Sequence, residues 1–86
     1  MTMDKLELLK NKIKYRSGYR GTKEMDILLT SFVKSVINEL DENKLDKLND
    51  FLKCNDEDIY NYYLNGTLIP NFDDDEILNL FKEFKI

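Results

Sequence analysis

Residues 22–40 read Thr22-Lys23-Glu24-Met25-Asp26-Ile27-Leu28-Leu29-Thr30-Ser31-Phe32-Val33-Lys34-Ser35-Val36-Ile37-Asn38-Glu39-Leu40. Met25, Leu28, Leu29, Phe32, Val33, Val36, Ile37 and Leu40 fall at i, i+3, i+4, i+7, i+8, i+11, i+12 and i+15. That spacing places every one of them on one side of an α-helix. A stripe this long needs partners along its whole length, so the remaining segments are expected to pack around it. Glu24 and Asp26 lie in its first turns, where negative charge suits the positive end of the helix dipole.

Working outward, the spacing predicts helices over about 4–17, 22–40, 42–53, 56–64 and 73–84. The first would bury Leu6, Leu9 and Ile13, with Leu8 widening the stripe, and stop at Gly18. Asp41 can cap the third, which carries Leu45, Leu48, Phe51 and Leu52 inward. Asn55 can cap the fourth, whose apolar positions are Ile59, Tyr62, Tyr63 and Tyr60, with Gly66 as its left-handed stop. Thr67 to Phe72 is a loop carrying Pro70. Asp73, with Glu76 three residues on, is expected to open the fifth helix, which packs Ile77, Leu78, Leu80, Phe81 and Phe84. Three glycines and one proline punctuate 86 residues, and no alternating run suggests a strand. The expected fold class is therefore all-α, a small five-helix bundle in a single domain spanning 1–86. A chain of this length makes a core but no deep pocket.

Composition excludes several function classes. There is no histidine, which removes the usual metal ligand and the usual proton-transfer group at neutral pH. The single cysteine, Cys54, has no partner for a disulfide and fits a reducing compartment. It reads as a structural residue, and no catalytic group is assigned. The run Asp73-Asp74-Asp75-Glu76 lacks the alternating ligands and central glycine of a calcium loop, so no metal site is expected. No apolar run reaches membrane-spanning length. No leader-like stretch opens the chain, and cytoplasmic localisation is the expectation.

The net charge of −4 conceals a segregation. Lys5–Lys23 holds seven bases and one acid, and Asn55–Glu76 seven acids and no base. Such a dipolar surface can steer a charged partner. A nucleic-acid regulator using the basic face is one reading. Against it stand the overall acidity and the outward Asp46 and Asp50 of the third helix, which would repel phosphates. A generic helical interaction module is the other.

The candidate site is Tyr19-Arg20-Gly21-Thr22-Lys23-Glu24-Met25-Asp26. Arg20 and Glu24 are four apart and, on a helix, would share one face; on spacing alone they can be an ordinary intrahelical pair. Gly21 between them leaves bare backbone that another surface could approach.

This stretch resembles the Arg-Gly-x-x-Glu region of the FAD assembly factors of succinate dehydrogenase, the SdhE family and its mitochondrial relative, succinate dehydrogenase assembly factor 2. The likeness continues through Phe32, Leu40, Leu45, Phe51 and Leu52. It includes Cys54-Asn55-Asp56-Glu57-Asp58-Ile59-Tyr60-Asn61-Tyr62, similar to the family's acidic turn and aromatic helix, and covers about residues 5 to 84. Tyr19 stands where the first of two arginines is common, Thr22 where a large apolar residue is usual, and Tyr62 where tryptophan is frequent. The resemblance implies a five-helix binding protein that is not an enzyme. It implies a partner, the flavoprotein subunit of succinate dehydrogenase or fumarate reductase, and promotion of covalent FAD attachment to a histidine of that subunit. Arg20, Gly21 and Glu24 match the functional motif and Asp26 the acid after it; with Tyr19 they are the expected partner-binding residues. Arg20 is expected to be exposed, offering its guanidinium fork to the partner, with Gly21 allowing close approach. The chain is expected to be a monomer when free, to bind no FAD tightly, and to act on the FAD of the partner. It is expected to bind no nucleic acid and to enter no membrane.

Overall fold

A computed structural model describes residues 4–85. Five helices follow one another: α1 (Lys5–Ser17), α2 (Lys23–Val36), α3 (Glu42–Leu52), α4 (Asp56–Asn65) and α5 (Asp75–Glu83). No strand occurs among the described residues, and no helix is long and apolar enough to cross a membrane. The all-α expectation holds.

Each helix begins where its sequence supplies a cap. The side chains of Asp4, Thr22, Asp41, Asn55 and Asp74 accept the backbone N–H groups of Glu7, Met25, Lys44, Glu57 and Ile77. These bonds satisfy donors that the first helical turn leaves without a partner. Gly66 closes α4 at φ 74°, the left-handed geometry that glycine adopts at no steric cost.

The expected boundaries shift most in two places, the end of α2 and the start of α5. The helix over 22–40 was to run through Leu40; α2 ends at Val36 instead. Glu39 N–H bonds to Val36 O, a tighter turn, and Asp41 takes extended backbone (ψ 175°) to cap α3. The chain must therefore leave the helix before Asp41. Ile37 stays buried all the same. The fifth helix is capped by Asp74, not Asp73, because the Asp74 carboxylate is also held by Lys44 at 3.0 Å. Its carboxyl lies below the ordinary range. Burial, the largest single influence, pushes it up, and the Ile77 N–H with the Lys44 ammonium together outweigh that push.

The core centres on phenylalanine. Phe32 of α2 meets Phe51, Phe81 and Phe84 edge-on, with ring centroids 6.2, 5.0 and 5.6 Å away. Phe51 also packs against Phe72 and Phe81. Phe32, Phe51 and Phe81 are fully buried, each worth about 2–3 kcal/mol of apolar burial. Around them α1 lies on α2 and α3, while α5 lies on α3 and α4. Tyr62 and Tyr63 join this core by their rings and donate their hydroxyls to the carbonyls of Leu78 and Phe84.

α1 departs from expectation. Its inward seam runs Leu9–Ile13–Ser17, a spacing of four, which leaves Leu6 and Leu8 exposed. Ser17 is buried; its hydroxyl donates to Lys14 O, and its own carbonyl accepts from the Thr30 hydroxyl. The end of α1 is thereby tied to the middle of α2, and this fixes the path of the junction that follows.

Candidate functional site

The junction between α1 and α2 is Gly18-Tyr19-Arg20-Gly21-Thr22. It is short, only its ends (Gly18 N–H to Tyr15 O, Thr22 O from Asp26 N–H) share in the helices' hydrogen bonds, and the polar groups between must find partners elsewhere. They find them chiefly at the start of α4. Arg20 Nε donates to Asp56 Oδ1 at 2.7 Å, and Nη2 lies 2.6 Å from the same oxygen. Nη1 donates to Leu52 O at 2.7 Å and to Arg16 O at 3.2 Å, and Nη2 to Cys54 O at 3.3 Å. A guanidinium has five N–H donors, and this one makes four hydrogen bonds and one further ion-pair contact inside the chain.

The other carboxylate oxygen of Asp56, Oδ2, accepts the Gly21 N–H at 2.8 Å. Asp26 reaches back from α2 and accepts the Arg20 N–H at 2.6 Å. Two carboxylates therefore clamp two successive peptide groups. A Cβ at position 21 would stand 3.3 Å from Asp56 Oδ2, tighter than usual contact.

This geometry corrects two expectations. Arg20 precedes α2, so it forms no i,i+4 pair with Glu24 on a helix. Nor is its guanidinium exposed: the side chain is 7% accessible and its donors are committed to α1, α3 and α4. The close approach expected at Gly21 is likewise made within the molecule, by Asp56. The reason is the cost of leaving the carbonyls of Leu52 and Cys54, at the frayed end of α3, without donors. An arginine fork that supplies them also neutralises Asp56.

The five sequence-predicted residues thus divide. Arg20, Gly21 and Asp26 are built into the junction. Tyr19 and Glu24 face solvent. Tyr19 is 73% exposed and stacks on Tyr15 with centroids 4.5 Å apart. Glu24 lies in the first turn of α2 and its carboxylate has no partner among the described residues. Sequence reasoning did not foresee the role of Asp56, which sits 36 residues from Arg20 within an acidic block and gives no local sign of it.

The ion pair separates two open grooves, each of about 440 Å³. One is lined by Lys12, Arg16 and Lys53 with Tyr15 and Tyr19. The other is lined by Gly21, Glu24, Met25, Asp56, Glu57 and Tyr60. Cys54 borders the first. Burial pushes its thiol up, the Asp58 charge adds to this, and Arg20 opposes it. A thiol so disposed is a poor nucleophile. Among the described residues no cluster of three or more cysteine or acidic side chains is placed to hold a metal ion.

Residues 11–85 match the family model described as flavinator of succinate dehydrogenase. The chain is 36% identical over 78 residues to succinate dehydrogenase assembly factor 2, mitochondrial, of Dictyostelium discoideum, covering 91% of this chain and 55% of that protein. Its counterparts of the same name in Scheffersomyces stipitis and Danio rerio are 33% and 30% identical, over 91% and 92% of this chain and 55% and 51% of theirs. The chain spans about half the length of the curated relatives it matches. No solved structure matches it. With the family model covering nearly the whole sequence, the chain belongs to the family of flavinators of succinate dehydrogenase.

Proposed function

We propose that this chain is an assembly factor that docks on the flavoprotein subunit of succinate dehydrogenase, or of fumarate reductase, and promotes covalent attachment of FAD to it. The observation that carries the reading is the family match over residues 11–85, which contains the whole Arg20–Glu24 junction. The attachment chemistry belongs to the flavin and to a histidine of the partner. This chain brings no histidine and a thiol held protonated. It therefore acts by contact and is not an enzyme.

The geometry supports a division of roles within the motif. Arg20, Asp26 and Gly21 hold the loop in one conformation, so little ordering cost falls on association. Glu24 and Tyr19 are the contacting residues. Docking favours the arrangement of the partner in which its histidine and flavin are poised to react, a shift by differential binding. FAD itself is held by the partner and not tightly by this chain, whose grooves are open and carry no glycine-rich phosphate loop. The free chain acts as a monomer, in the compartment where the flavoprotein is loaded, a reducing cytoplasm by its composition.

The test is reconstitution. Purified apo-flavoprotein subunit, FAD and this chain are combined, and covalent flavin is read by in-gel fluorescence. Glu24→Ala is expected to keep its fold and lower the flavinylation rate by at least about tenfold, as for loss of a partner-binding charge. Gly21→Arg, which crowds Asp56 and covers the adjoining groove, is expected to abolish docking. Full flavinylation without the added chain would overturn the reading.

A further inference from the structure

The groove on the Glu24 side has a chemistry of its own. Its floor is Met25 and the flank of Gly21, and one wall is the ring of Tyr60, which is 38% exposed on α4. Its rim carries Glu24 from the first turn of α2 and Glu57 from the first turn of α4. No base lines it. The third acid, Asp56, is already neutralised by Arg20. The carboxylates of Glu24 and Glu57 have no partner among the described residues. The helix N-termini beneath them are capped by Thr22 and Asn55, so the donors there that would draw an anion are partly spent.

An apolar floor, an aromatic wall and two unpaired carboxylates together describe the complement of one side chain. We propose that this groove receives an arginine of the client flavoprotein, its methylene stem lying on Met25 and Tyr60 and its guanidinium held by Glu24 and Glu57. The inference rests on the client reading given above and specifies its chemistry. Arginine fits better than lysine for three reasons. Its planar head can stack on the Tyr60 ring. It has enough donors to serve two carboxylates at once. Its stem covers apolar surface while its charge stays at the rim. Glu57 and Tyr60 thereby become binding residues alongside Glu24, on a helix far in sequence from the motif.

The test uses the full chain and the purified flavoprotein subunit. Glu57→Gln and Tyr60→Ala, both at exposed positions, are expected to weaken binding about fivefold to tenfold each with the melting temperature unchanged. An arginine-directed dicarbonyl footprint, read by mass spectrometry, is expected to show one flavoprotein arginine protected by the wild-type chain. The same arginine should stay reactive with the Glu57→Gln/Tyr60→Ala double variant at matched total concentration. Wild-type affinity in the double variant overturns the proposal, as does binding that protects no arginine or protects only lysines from acylation. A wild-type chain that binds no flavoprotein at all overturns the client reading instead, an outcome the binding measurement separates from the others.

Discussion

The phenylalanine cluster joins α2, α3 and α5, and the Arg20 side chain joins α1, α3 and α4, by opposite physical means. Phe32, Phe51 and Phe81 exclude water and are satisfied by any partner of suitable shape. Arg20 satisfies five named acceptor contacts, and its place cannot be taken by another residue without orphaning some of them. The first region provides most of the stability. The second provides one specific loop conformation at the surface, at the cost of desolvating a charge pair. A chain of 86 residues holds this surface loop in fixed geometry only because both are present.

Breaking the larger side comes first. Phe32→Ala should cost about 3–5 kcal/mol in urea unfolding, the cavity cost of a central aromatic ring. Flavinylation per folded molecule, measured well below the transition, should stay near wild type, because the ring of Phe32 packs on Phe51, Phe81 and Phe84 in the core.

The opposite pattern sharpens the contrast. Arg20→Ala should cost about 3 kcal/mol, because it leaves Asp56 and the carbonyls of Leu52 and Cys54 without their donor. Here the fraction still folded should flavinylate poorly, since the Gly21 loop loses the fixed carboxylate that holds it. Arg20→Lys should restore the charge but not the fork, and recover only part of both properties. If folded Arg20→Ala flavinylates at the wild-type rate, the junction is structural only.

A smaller effect lies at the border of the core. Tyr62→Phe keeps the ring and removes the donor to Leu78 O, which should cost about 1 kcal/mol in the same unfolding experiment. No change in flavinylation should accompany it.

The smallest effect is set by pH. The Asp74 carboxyl lies below its ordinary value in the folded chain. A group depressed in this way contributes stability above its unfolded pKa, and loses that contribution as pH falls through the folded value. Stability should therefore fall as the pH drops below about 4, and Asp74→Asn should flatten that part of the curve. An unchanged acid limb in Asp74→Asn would assign the fall to other carboxylates.

Much of the fold was legible in the sequence, because helices are local. Met25 to Ile37 announce the buried face by spacing, and Asp41 and Asn55 cap α3 and α4 as expected. The site was legible only in part. The motif located the loop, and the resemblance assigned it to a binding role. Spacing suggested that Arg20 and Glu24 act side by side from one helix, and the structure turns them in opposite directions. In the sequence Tyr60 is an apolar position of the fourth helix and Glu57 one acid of an acidic turn, yet both line the groove beside Glu24.

The division follows from range. Capping and periodicity depend on residues within four or five positions, so the sequence alone determined where α3 and α4 start and which side α2 buries. What lies beside Arg20 depends on how the end of α3 and the start of α4 come to rest against the end of α1. Asp56, Leu52 and Cys54 are 32 to 36 residues away along the chain. Only the packed tertiary structure brings them within hydrogen-bonding distance, and only burial makes their acceptors costly to leave unpaired. That cost draws the arginine of the motif inward and leaves its glutamate at the surface.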